Sequence, residues 1–276
     1  MNEIIFYEIE KEKWCEVKYL DTVISYLNET IKGYSIIVTP NQHTLPNTKY
    51  NKIIVILTGD ENGQFNFNNY NNTNIKVFRF FNRTGMYDER FIFPIPPGYN
   101  WTMHNDYSKQ MIKMYPEKKL SERKYDISFL GQPLPWRTEI FNKLNQLSGK
   151  YNVLSSVSPS FRTGVHIDEY YKIMGDTKIA LAPNGTSVDT FRYVEAFGSG
   201  CIVITTNKDD IWYYRNSPAF FINSWSELNE NLIENILSMN LDKVYEKNLY
   251  YYKDSLSEKA VANYIMKRLG YSCWSY

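Results

Sequence analysis

Cysteine and histidine are scarce: Cys15, Cys201 and Cys273 are the 3 cysteines, and His43, His104 and His166 the 3 histidines. No CxxC pair occurs and the histidines are scattered, which argues against a structural zinc site. The odd cysteine count and the lack of a secretory apolar stretch point to a reducing, cytoplasmic setting. No apolar run approaches the roughly 18 residues needed to span a bilayer. Charge of one sign is missing too, with 31 Lys and Arg against 30 Asp and Glu. No basic block exceeds Lys118-Lys119 or Arg123-Lys124, so the chain lacks the basic face of a nucleic-acid partner. No GxGxxG follows the first strand-like run of either half, around Ile4–Ile9 or Tyr125–Gly131, where a dinucleotide enzyme carries it.

What the chain does have is aromatic bulk: 24 Tyr, 15 Phe and 6 Trp in 276 residues. Rings at that density serve either as core filling or as platforms for sugars and bases. Strand-like and helix-like pieces alternate along the whole length. In the first half, Tyr34–Thr39, Lys52–Thr58 and Ile75–Phe81 are β-branched and aromatic runs bounded by Pro, Gly and Asn, as buried parallel strands are. Thr22–Lys32 has helical spacing, with Gly33 as its stop. Phe91–Asn100 carries Pro94, Pro96 and Pro97, which forbid a helix, and reads as an extended linker between domains. In the second half, Tyr125–Leu130, Tyr151–Val157, Lys178–Ala182, Cys201–Thr205 and Phe220–Ile222 read as strands. Pro135–Leu147, Asp168–Met174, Val188–Ser199 and three C-terminal segments read as helices. This alternation predicts parallel sheets with helices on both faces.

The stretch Lys178–Thr205 carries the most chemistry. A short buried strand ends at Ala182, a flexible turn runs through Pro183, Asn184, Gly185 and Thr186, and a helix follows, with Ser187 or Asp189 as its cap. Free backbone N–H groups at such a helix start favour a phosphate. Ligands of doubly wound sheets sit at this carboxyl edge. Arg192 and Glu195, three apart, share one helix face beside Thr190. Facing a crevice, Arg192 would fork onto a diphosphate and Glu195 would accept a ribose diol. Facing water, they would be a surface ion pair. In the first half, Thr58-Gly59-Asp60-Glu61 follows a strong strand and places carboxylates at a carboxyl edge. Asp60 there is either a turn former or a general base.

The segment Arg192-Tyr193-Val194-Glu195-Ala196, with Gly200-Cys201-Ile202-Val203-Ile204 after it, resembles the donor-binding motif of exostosin-type glycosyltransferases. Tyr193 stands where Phe is usual, and no Pro follows Cys201. Asp126-Ile127-Ser128-Phe129-Leu130-Gly131, with Arg137 six residues on, resembles the first strand of that family's donor domain. The resemblance covers about residues 124–206. It implies an α/β, GT-B-like fold: two Rossmann-like parallel-sheet domains facing each other across a cleft. Residues 1–100 would form the acceptor domain and 101–255 the nucleotide-sugar donor domain, with 256–276 packing back on the first.

It further implies transfer of a sugar from a nucleoside diphosphate donor, a UDP-sugar by preference, to a hydroxyl of a glycan acceptor with inversion. Gly131 would admit the sugar nucleotide, Arg137 and Arg192 would hold its phosphates, and Asn184, Gly185, Thr186, Ser187, Asp189 and Thr190 would line the phosphate end. Glu195 would take the ribose and Asp60 would be the base. Neither cofactor nor metal is expected, and no Asp-x-Asp of the metal-dependent type is present; the adjacent pair Asp209-Asp210 reads as a turn. Two other readings compete: a glycan- or nucleotide-binding protein without turnover, and a different nucleotide-sugar enzyme of similar build.

Overall fold

The computed structural model describes residues 1–9, 17–40, 45–59, 74–80, 90–99, 118–158, 164–185, 187–206 and 210–272. Among them, ten strands form two five-stranded sheets. The first sheet runs in chain order β1 (Glu3–Phe6), β2 (Tyr34–Thr39), β3 (Lys52–Leu57), β4 (Ile75–Arg79) and β5 (Ile92–Pro94), all parallel. Between β1 and β2 lies α1 (Val17–Thr30), whose Leu20, Val23, Leu27 and the following Ile31 are fully buried, one stripe of a 3.6-residue repeat. Gly33, just past the helix, takes the left-handed φ of 77° that suits a glycine stop.

The second sheet is built from β6 (Tyr125–Gly131), β7 (Val153–Val157), β8 (Thr177–Leu181), β9 (Ile202–Thr205) and β10 (Phe220–Phe221). Their spatial order is β10-β9-β8-β6-β7, again all parallel. The chain leaves β6 toward β7 and then returns to the opposite side of β6 with β8. That reversal is a topological switch point, where two crossovers diverge and leave a crevice outside the carboxyl ends of the strands. Helices α2 (Thr138–Leu147), α3 (Ile167–Gly175) and α4 (Phe191–Gly198) connect these strands. The remaining helices are the short α5 (Trp212–Arg215), then α6 (Glu230–Leu237), α7 (Leu241–Tyr251) and α8 (Glu258–Arg268).

Two expectations change. Ile92–Pro94 is no free linker but the fifth strand, buried and paired with β4. Proline is tolerated there because β5 is an edge strand, whose outer N–H groups have no ladder to serve. The helix expected from Val188 starts only at Phe191. Its N-cap is Thr190, with no side-chain capping bond. The side chain of Asp189 is used elsewhere.

The last helix returns to the first sheet's side. α8 packs on α1, and the Tyr19 hydroxyl donates to the Leu256 carbonyl at 2.8 Å. Tyr99 donates to Glu258 at 2.8 Å, and the Trp212 indole N–H donates to the Pro94 carbonyl at 2.7 Å. One buried cluster therefore runs from Leu20 and Ile36 to Phe197, Tyr213 and Met266, while a second fills the other face of the second sheet around Phe129, Ile140 and Leu181.

At the end of α4, Gly200 takes φ 70°, and a β-carbon there would stand 2.5 Å from the Tyr245 ring. At Gly33 the φ is similar but nothing lies within 4 Å. Left-handed backbone costs a non-glycine residue about 1–2 kcal/mol. Gly33→Ala should therefore lower unfolding stability by about that amount. Gly200→Ala should cost at least about 1 kcal/mol more, because Tyr245 must also move. Urea midpoints of the two variants check this; equal losses would refute the packing argument.

Candidate active site

The switch point brings together residues from three elements. β6 ends at Gly131, and just beyond it a tight helical turn, Pro135–Arg137, leads into α2. Arg137 is buried, and its Nε and Nη2 donate to the Asn184 carbonyl at 3.1 and 2.9 Å. Asn184 lies in the turn after β8, closed by a 2.9 Å bond from the Gly185 N–H to the Ser187 carbonyl. From the first turn of α4, Arg192 reaches across to donate its Nη2 to the Leu130 carbonyl. The two guanidinium groups thus sit over the carboxyl ends of β6 and β8. Both carry a face toward the Phe129 ring, with Cζ at 4.8 Å for Arg192 and 5.9 Å for Arg137.

Glycine at 131 is what lets them meet. A methyl group built there would lie 3.1 Å from Phe129 Cζ, 3.3 Å from Arg192 Nη2 and 3.6 Å from Arg137 Nη1. Two nitrogens that close to one point are at most about 7 Å apart, and like charges at that separation repel by about 2 kcal/mol at an effective dielectric of 20. Burial, and next the charge of Arg192, lower the Arg137 pKa to about 10. Among the described residues, Arg192 Nε and Asn184 Oδ1 are buried without a hydrogen-bond partner. Each such group costs about 1–3 kcal/mol when left unmet. Repelling cations with an unused donor favour an anion between them.

The acidic residues behave differently from a surface pair. Glu195 is buried, and it does not reach Arg192. Its Oε2 accepts from Tyr170 at 2.7 Å and its Oε1 from Tyr171 at 3.1 Å, both on α3. The Tyr170 hydroxyl also interacts with Arg192. Burial first, and then the charge of Glu195, push both tyrosines well above their usual pKa, so they remain donors. Asp189 repeats the arrangement: buried, it accepts from Tyr213 and, at 2.6 Å, from Tyr214 on α5. All four tyrosines are thus hydrogen-bond donors to a buried carboxylate.

Of the other expected residues, Ser187 is buried and its hydroxyl accepts from the Asp189 N–H at 3.4 Å. Thr190 stands at the N-terminus of α4. Thr186 and Asp60 lie outside the described residues, as do His43, His104 and Asp209. Asp210 is paired with Arg215 at 2.6 Å on the surface. Among the described residues, no group of three or more His, Cys, Asp or Glu is placed to hold a metal, and no helix is long and apolar enough to cross a membrane. Trp136, which the sequence did not single out, is half-exposed at this edge. Its indole N–H donates to the same Asn184 carbonyl at 3.3 Å. Its position next to Arg137 in the turn after β6 was the available signal.

Two tests follow from this geometry. Gly131→Ala forces Phe129 and both guanidinium groups to give way, and should weaken inorganic pyrophosphate binding roughly 10-fold, about 1.4 kcal/mol. Calorimetry against an unchanged urea midpoint separates this from unfolding. A bound anion favours charged Arg137. Sulfate, whose charge is constant over the range, should therefore bind equally at pH 8 and 9 and more weakly as pH rises through about 10. Affinity that is flat to pH 11 would mean Arg137 does not touch the anion.

No protein-family model matches the chain, and no curated protein sequence matches it. Solved structures do. An α1,3-fucosyltransferase is 13% identical, with a TM-score of 0.50, over 92% of this chain and 89% of that one. The same enzyme class in complex with GDP-fucose gives 12% identity, 97% and 89% coverage and a TM-score of 0.49. WaaG, a glycosyltransferase involved in lipopolysaccharide biosynthesis, is 11% identical over 96% of this chain and 99% of that one, at a TM-score of 0.46. With its two parallel five-stranded sheets, the chain has the two-domain α/β fold called GT-B.

Proposed function

We propose that the chain is a glycosyltransferase that binds a nucleoside diphosphate sugar at the β6/β8 switch point. The observation that carries this reading is the convergence of Arg137 and Arg192 on Gly131. Fixed cations at a strand edge stabilise the charge that develops on a departing diphosphate, with the cost of their placement met by folding. In this reading residues 101–255 bind the donor and residues 1–100 the acceptor, and 256–276 close back on the first part. The N-terminus of α4, with Thr190 and the turn at Asn184 to Ser187, serves the phosphate end. Glu195 accepts ribose hydroxyls while the tyrosines of α3 hold it in place.

The finer expectations belong to the same proposal: a UDP-sugar donor, a glycan hydroxyl as acceptor, and inversion. Inversion needs a base on the acceptor side to take the hydroxyl proton as that oxygen attacks the anomeric carbon. Asp60 is its candidate on chain position alone, one residue past Gly59 at the carboxyl end of β3.

Calorimetry with UDP, GDP, CMP and ADP on wild type, Arg192→Ala and Glu195→Ala tests the donor site. One nucleoside diphosphate should bind, weakened on the order of 10- to 100-fold by Arg192→Ala, since hydrogen bonds to charged groups contribute about 1.5–3 kcal/mol. Wild type that binds none of the four would remove the donor-site reading and favour a glycan-binding protein. Once the nucleotide is identified, Asp60→Asn should abolish transfer while leaving that affinity unchanged.

A further inference from the structure

We propose that Trp136 is the stacking platform for the nucleobase of the donor, a proposal that rests on the donor site argued above. Six large apolar side chains are exposed among the described residues, and two of them follow or end neighbouring strands: Trp136 (53%) in the turn after β6 and Val157 (52%) at the end of β7. Val157 is the last residue of β7 and is paired in register with Gly131. Trp136 immediately precedes Arg137. An indole exposed to water is unfavourable by its apolar area unless something covers it, and here it is exposed beside the two guanidinium groups that would hold phosphates.

The ring is also held by its edge. Its N–H donates to the Asn184 carbonyl, which Arg137 engages through two further bonds. The edge is fixed while much of the ring stays open, so stacking requires little further loss of side-chain freedom. A nucleobase is the flat π-surface that a diphosphate donor brings to such a platform. With the phosphates held by Arg137 and Arg192, the base lies over the open face of Trp136, immediately beside Arg137. The platform is then base-tolerant in itself: stacking uses the face that every base has, and discrimination among bases falls to other groups.

Calorimetry on the full chain with UDP, GDP, inorganic pyrophosphate and glucose 1-phosphate tests this on wild type, Trp136→Ala and Trp136→Phe. Trp136→Ala should weaken nucleotide binding on the order of 10-fold while leaving pyrophosphate within about twofold. Trp136→Phe, which keeps a ring but loses the N–H, should retain nucleotide affinity within about threefold of wild type. Equal losses for UDP and pyrophosphate would overturn the proposal, making Trp136 a support for Arg137. A loss confined to glucose 1-phosphate would also overturn it, placing the sugar on the indole. Unchanged nucleotide binding in Trp136→Ala would defeat the stacking proposal alone. Wild type that binds neither nucleotide would defeat the donor site as well.

Discussion

The arrangement at the switch point depends on two main-chain carbonyls, those of Leu130 and Asn184. At the carboxyl edge of a parallel sheet, carbonyls run out of ladder partners and must find other donors or water. Here guanidinium groups supply them, Arg192 to Leu130 and Arg137 to Asn184. The exchange is reciprocal, since the carbonyls also fix the guanidinium planes. Arg137 spends two of its five N–H donors on Asn184, and Arg192 spends one on Leu130. Arg192 also meets the Tyr170 hydroxyl, while its buried Nε has no hydrogen-bond partner. A Lys at either position could satisfy a carbonyl but would lack the fork that holds and presents at once.

Behind the arginines, α4 is tied down by buried carboxylates. An ionised carboxyl group removed from water costs several kcal/mol unless it is fully hydrogen-bonded. Glu195 and Asp189 each meet that demand with two adjacent tyrosines, Tyr170-Tyr171 on α3 and Tyr213-Tyr214 on α5. The helix that carries Arg192 is thereby fixed to two neighbouring helices. The guanidinium direction is set by tertiary bonds and not by the helix surface alone. Part of the high tyrosine content is thus structural in a specific sense: these rings pack in the core and their hydroxyls neutralise the demand of buried acids.

Sheets were legible because parallel strands buried on both faces leave β-branched runs, clearest in β2, β3 and β9. The grouping of Gly131, Arg137 and Arg192 was legible in that the three meet where strand order reverses. What sequence could not give was set by long-range partners. Local capping rules favoured Ser187 or Asp189 at the start of α4, but two tyrosines more than 20 residues away claim Asp189. Helix spacing put Arg192 and Glu195 on one face, yet spacing does not reveal that each would find a better partner elsewhere. Ile92–Pro94 read as linker because prolines exclude a central strand, and nothing local distinguishes an edge strand from an unpaired one. Trp136 carried no motif; its neighbour Arg137 was the one local signal, and its anchor, Asn184, lies 48 residues on.

The same short helix that serves Asp189 also touches the other half of the molecule. In α5, Tyr213 and Tyr214 donate to Asp189, just before α4, while their neighbour Trp212 donates to the Pro94 carbonyl at the end of β5. Trp212 also stacks on Tyr264 of α8, with centroids 4.4 Å apart, and Arg268 of α8 lies against both Tyr264 and Phe93. Four residues of helix therefore connect the segment before α4, the edge of the first sheet and the returning C-terminal helix. A shift of β5 relative to the second sheet would have to strain or break the Trp212 bond, and Trp212 adjoins the tyrosine that holds Asp189. The placement of the segment before α4 and the placement of the first sheet are accordingly not independent: one turn of helix carries the constraints on both.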